Sequence, residues 1–211
     1  MIKEVCVENF TDIPTVIKAG AGRIEINDNL AVGGTTVSHG VMAAAAAYTR
    51  EAGVPLVAMI RPRGGDFVYT EEETAIMIGD IRTAHECGVP AVTFCAVTAD
   101  GKLDTRIMSL LIEAAKPMAV VCHMGFDAIT TPNRHAALDW LVDHGVVRIL
   151  THGGTLKEPI SATIPALKEN IEYAAGRIEI LPGGGITSNN VDQITKELGV
   201  NQAHGTKIIK Y

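Results

Sequence analysis

Three acidic residues stand in short apolar runs where a carboxylate is out of place. Glu4 lies in Ile2-Lys3-Glu4-Val5-Cys6-Val7, Glu25 in Arg23-Ile24-Glu25-Ile26-Asn27 and Glu179 in Arg177-Ile178-Glu179-Ile180-Leu181. If each run is a strand, its side chains alternate between two faces. With the Val and Ile residues turned toward helices, Glu4, Cys6, Glu25, Asn27 and Glu179 turn the other way, into the interior. A buried carboxylate needs a cation, a metal ion or hydrogen-bond donors, and burial raises its pKa toward the range useful for acid–base chemistry. Arg61, in Met59-Ile60-Arg61-Pro62-Arg63-Gly64-Gly65-Asp66, is the expected partner. With Arg63 it could clamp a carboxylate or phosphate. His123 and Asp127 offer an acid–base group and its orienter, and His152 and His204 stand at the ends of further apolar runs. The same residues would also suit a structural Glu–Arg network.

Glycine-rich turns follow several of these runs: Gly153-Gly154 after Thr151-His152, Gly183-Gly184-Gly185 after Pro182, and Gly205 after His204. Glycines let backbone N–H groups approach a ligand closely, and barrels often bind phosphate in the loops after their seventh and eighth strands. An anion site at these turns is expected, although the same glycines also suit plain strand-to-helix turns. There is no Walker pattern and no GxGxxG, so nothing points to a nucleotide. The four cysteines (Cys6, Cys87, Cys95 and Cys122) form no CxxC pair, and no HxxxH or HExxH spacing exists.

The elements that would position these groups alternate from end to end. Strands are expected at residues 2–7, 23–27, 56–61, 91–97, 118–123, 147–152, 177–181 and 201–204. Helices are expected at 11–19, 36–52, 71–87, 104–115, 133–143, 160–174 and 189–197. Gly53, Gly88, Gly145, Gly176 and Gly199 sit where helices should stop, and Thr70 ahead of Glu71–Glu73 is an N-terminal cap. Eight β–α repeats predict one domain over residues 1–211, a TIM-type (β/α)8 barrel with its site at the C-terminal ends of the strands. Only seven residues follow the eighth strand, too few for a last outer helix. The flank over the first and last strands should then be bare, which predicts a homo-oligomer.

The 211 residues are 47% hydrophobic and 20% charged, with a formal net charge of −6 and no basic run. Nucleic acid and anionic membrane surfaces are therefore not expected partners. No apolar segment is long enough for a membrane span. The start of the chain reads as lacking a signal peptide, which predicts a cytoplasmic protein with reduced thiols.

Glu4-Val5-Cys6-Val7, Gly22-Arg23-Ile24-Glu25, Met59 to Phe67, His123 with Phe126-Asp127, Arg148 to Thr151 with Gly153-Gly154, and Leu181 to Ile186 occur in an order that resembles the CutC family of copper homeostasis proteins. The resemblance covers nearly the whole chain, and its Met-Ile-Arg-Pro-Arg-Gly-Gly-Asp stretch is the most specific part. It implies a cytoplasmic, oligomerising barrel associated with copper tolerance. Copper(I) would be the ligand, with Cys6, His123 and His204 as candidate donors, since copper(I) favours soft thiolate and accepts imidazole. Met124 and His152 are further donors to weigh. Asn27 stands where relatives often carry a cysteine. Two other readings remain open: an enzyme acting on a small phosphorylated or carboxylated metabolite, and a metabolite-binding protein without chemistry.

Overall fold

The Val- and Ile-rich runs become strands because both their faces are buried, the outer one against helices and the inner one in the barrel, as in a parallel sheet. The computed structural model describes residues 1–211. Its elements are β1 (Ile2–Glu8), α1 (Ile13–Lys18), β2 (Arg23–Asn27), α2 (His39–Glu51), β3 (Leu56–Met59), α3 (Glu71–Glu86), β4 (Ala91–Phe94), α4 (Thr105–Ala115), β5 (Ala119–Cys122), α5 (Thr131–Asp143), β6 (Arg148–Thr151), α6 (Ile160–Ala174), β7 (Glu179–Pro182), α7 (Val191–Leu198) and β8 (Gln202–Gly205). All ladders are parallel, in the order β7-β6-β5-β4-β3-β2-β1-β8. This is a TIM-type (β/α)8 barrel without its eighth outer helix.

The curled sheet is not fully laddered. β7 and β8 are its two ends and share no strand pairing. Above them the loops are tied by one bond, from Ser188 N–H to the Lys207 carbonyl at 2.8 Å. Gly205 permits that approach, because a Cβ there would lie 2.5 Å from the Ile186 carbonyl oxygen. Lower down, a cavity of about 310 Å³ opens between the two edges, lined by Ile178, Glu179, Asn201 and Gln202 among others.

Alternation divides the core in two. Val5, Ile24, Ala58, Val92, Ile149 and Ala203 point outward into the layer shared with the helices. Val57, Val121, Leu150 and Leu181 form a small apolar plug inside the barrel. The helices lie where periodicity and caps place them. In α3, Thr70 and Glu73 form a reciprocal capping box that satisfies two otherwise orphaned N–H groups. In α4, Ile107, Met108, Leu111 and Ala115 make the buried stripe.

The bare flank expected over β1 and β8 is not there. The residues after β8 form no helix, but Ile208 and Ile209 fold back into the core, and Val5, Val7 and Ala203 are buried. A short tail covers the flank as an outer helix would, so the argument for an interface at that face falls away.

Candidate functional site

β1 lies between β2 and β8, and its register brings the chemistry together. Cys6 stands beside Glu25, and Glu4 beside His204. All four side chains face the interior and are buried. Sγ of Cys6, a carboxylate oxygen of Glu25 and a ring nitrogen of His204 lie within 4.8 Å of one another. His204 Nε2 is 4.0 Å from Glu25 Oε1, and the Cys6 thiol is 3.8 Å from the same oxygen. Asn27 donates through Nδ2 to Cys6 Sγ at 3.3 Å and to Glu25 Oε1 at 3.0 Å.

Glu4 supports this cluster from below. Its Oε1 lies 2.8 Å from His204 Nδ1. Its other oxygen accepts from Arg23 Nε, and Arg23 donates onward to Gln202 at 2.8 Å. Burial pushes the Glu4 carboxyl up, but His204 and Arg23 together outweigh it and hold it at about 2. Burial would lower the His204 pKa, yet Glu25, Cys6 and Glu4 outweigh it and raise it well above the ordinary value. Glu25 is raised, first by burial and also by Glu4, and burial likewise pushes the Cys6 thiol up. The carboxylate on Nδ1 fixes the ring and leaves Nε2 directed at Cys6 and Glu25, as second-sphere carboxylates do for metal-binding histidines.

This cluster floors a cavity of about 380 Å³ at the C-terminal mouth. Leu30, Met59, Phe67, Met124, Leu150 and Ile186 supply apolar wall. His123 lines the same cavity and is 3% exposed. Its Nδ1 accepts from Gly125 N–H at 3.0 Å, so the neutral ring carries its proton on Nε2, which has no partner within the chain. Burial, reinforced by the Arg61 charge, lowers its pKa to about 3. His123 is not part of the Cys6–Glu25–His204 cluster.

Several expected roles are overturned. Arg61 is at the mouth but does not pair with the interior carboxylates; Arg23 and His204 do. Arg61 donates instead to the carbonyls of Val32, Gly34 and Gly65 at 3.0, 3.0 and 2.7 Å, tying two loops together under Phe67. Arg63 lies outside the cavity, bound to Glu73 and Asp66. Asp127 does not orient His123. It accepts from Thr151 Oγ1, His152 N–H and Gly153 N–H at 2.6, 2.8 and 3.1 Å. Glu179 sits at the opposite end of the barrel, 44% exposed and 3.4 Å from Arg148. Gly153 and Gly154 line a separate cleft beside Arg134. Gly183 is packed against Leu150, Met124 and His204, with no room for a Cβ. His152 bridges the carbonyls of Gly183 and Glu158, so neither ring nitrogen is free for a metal. Gly184, Gly185 and Gly205 do reach the cavity, joined by Thr206 of the same turn and by Lys207, which the sequence reading missed. Arg23 and Gln202 were missed too, although the alternation that turns Glu25 and His204 inward applies to both.

Known proteins resemble the chain over its whole length. The CutC family model matches residues 1–209. A family protein CutC from Enterococcus faecalis is 49% identical over 209 residues, covering 99% of this chain and 100% of that protein. A human protein named copper homeostasis protein cutC homolog is 37% identical over 203 residues, 96% of this chain and 72% of its own length. The crystal structure of the CutC protein from Streptococcus agalactiae superposes with a TM-score of 0.95 at 44% identity, covering 99% of both chains. A deoxyribose phosphate aldolase from Aeropyrum pernix, 11% identical with a TM-score of 0.72, shares the fold alone. With the sequence matched from end to end and the barrel reproduced throughout, this chain belongs to the CutC family.

Proposed function

We propose that this chain is a cytoplasmic copper-handling protein that holds one copper(I) ion at the base of its cavity. Cys6 Sγ and His204 Nε2 would be the principal donors, Glu25 a third, and Glu4 the residue that holds the imidazole in position. The observation that carries this reading is the meeting of a thiol, an imidazole and a carboxylate within 4.8 Å at a buried, mouth-facing position. A thiolate–imidazole pair suits copper(I) better than hard divalent cations, which take oxygen ligands. Asn27 stands 3.3 Å from Cys6 as a hydrogen-bond donor to sulfur, so the site uses one thiolate rather than two. Both the Cys6 thiol and the His204 imidazolium must give up a proton to bind, so copper uptake releases protons. The names of the mouse and human relatives, copper homeostasis protein cutC homolog, support this reading.

The test is an anaerobic copper(I) titration against a chromophoric chelator. Wild type should take up about one ion per chain, Cys6→Ala should lose tight binding, and Glu4→Gln should weaken it about 10- to 100-fold, as removal of a second-sphere partner does. Equal binding by wild type and Cys6→Ala would overturn the assignment.

A further inference from the structure

The cavity above the cluster is far larger than an ion requires. At about 380 Å³ it falls in the range of small-molecule sites, which combine apolar walls with a few placed polar groups. Those groups sit at two ends. On one side the backbone N–H groups of Gly184, Gly185 and Thr206 donate no hydrogen bond within the chain, and all three residues line the cavity with Lys207. On the other, the His123 ring lines the wall, and its Nε2–H, buried beneath the cavity surface, has no partner within the chain.

We propose that this cavity binds a small organic oxyanion, a phosphate or a carboxylate, whose charged end rests on the Gly184, Gly185 and Thr206 N–H groups beside Lys207. A second oxygen of the same molecule accepts from His123 Nε2 once the side chains covering that atom shift to admit it. Free N–H groups in a loop form a nest for an anion, and a lysine adds the counter-charge. His123 brings a different property. Burial, with the Arg61 charge nearby, keeps it uncharged at working pH. A neutral N–H polarises a carbonyl oxygen without a change in its own charge. The ligand class that uses both ends is therefore a short oxo-acid or a phosphorylated ketone or aldehyde. This inference goes beyond the copper reading and shares none of its ligands: Cys6, Glu25 and His204 lie on the floor, the anion contacts on the wall and rim.

The experiment uses metal-free full-length protein with chelator present, so that its outcome is independent of copper. Dihydroxyacetone phosphate and 2-oxoglutarate are titrated by calorimetry, with inorganic phosphate as competitor. One of them should saturate with a Kd below about 1 mM. Competition by phosphate identifies the phosphate form, and binding of 2-oxoglutarate alone the carboxylate form. Lys207→Ala, at an exposed position, should weaken binding at least about tenfold. Infrared difference spectra should show the bound carbonyl stretch moved to lower frequency, and His123→Phe, checked for folding by thermal unfolding, should abolish that movement. Failure of both probes to saturate, or a Lys207→Ala variant that binds like wild type, overturns the proposal.

Discussion

Glu4 is the residue on which the interior charges depend. It pairs with Arg23 on one side and His204 on the other, all three buried. Neutralising it leaves a guanidinium and an imidazolium without their shared counter-charge. Glu4→Gln should destabilise the fold by about 3–5 kcal/mol, the usual cost of breaking a buried pair, read as a lower midpoint in urea unfolding. His123 contributes to the acid response, opposed in part by Glu25 and Asp127, whose carboxyls burial pushes up. Its pKa of about 3 lies below its ordinary 6.5, so between those values the unfolded chain binds one more proton than the folded chain. Stability therefore rises with pH across that window and is lost as pH falls through it, with a slope of up to about 1.4 kcal/mol per pH unit. His123→Phe should flatten that slope in unfolding measured from pH 6 to 4.5. Glu4, held at about 2, adds a loss of the same sign only below its ordinary 4.5. At this scale alternation revealed which way side chains face but not how deep they lie. Gly-Arg-Ile-Glu-Ile occurs twice in the chain. The first copy buries Arg23 and Glu25, while the second leaves Arg177 and Glu179 exposed. Five identical residues adopt two environments because strand stagger, which sets depth in a barrel, is fixed by neighbouring strands and not by the strand's own sequence.

Between elements, the loops at the mouth are held by polar side chains that the sequence presents as chemistry. Asp127 lies in the short helical turn Met124–Ala128 after β5. That turn points its carboxylate at the start of the β6 loop, where it satisfies two backbone N–H groups and a hydroxyl. Asp127→Ala should cost about 1–3 kcal/mol through orphaned buried donors, and amide exchange at His152 and Gly153 should speed up while the copper(I) titration matches that of wild type. Arg61 acts similarly on the loops after β2 and β3. Order and type of the elements were legible because strand and helix periods alternate without interruption and caps such as Thr70 mark their ends. The roles of Asp127 and Arg61 were not legible, because an acid or base at a strand end reads the same whether it meets a ligand or a neighbouring loop's backbone.

For the whole molecule, the tail after β8 replaces an outer helix. Ile208 and Ile209 are buried in the continuous outer core to which α1, α7 and the outward faces of β1 and β8 also belong. Deleting residues 206–211 removes both, at about 1.5–3 kcal/mol for each buried isoleucine, and uncovers Val5 and Ala203. The truncated chain should melt earlier and self-associate with rising concentration, read by light scattering. The seam between β7 and β8 has a different consequence. Its two banks are joined only above the barrel, by the Ser188–Lys207 bond. Gly184 and Gly185 stand on one bank, Thr206 and Lys207 on the other, so an anion held by both would add a second tie beside that bond, at the one end of the seam already joined. Recognition would then reinforce a join rather than make one: the occupied mouth would be a doubly fastened collar above the thiol-bearing floor.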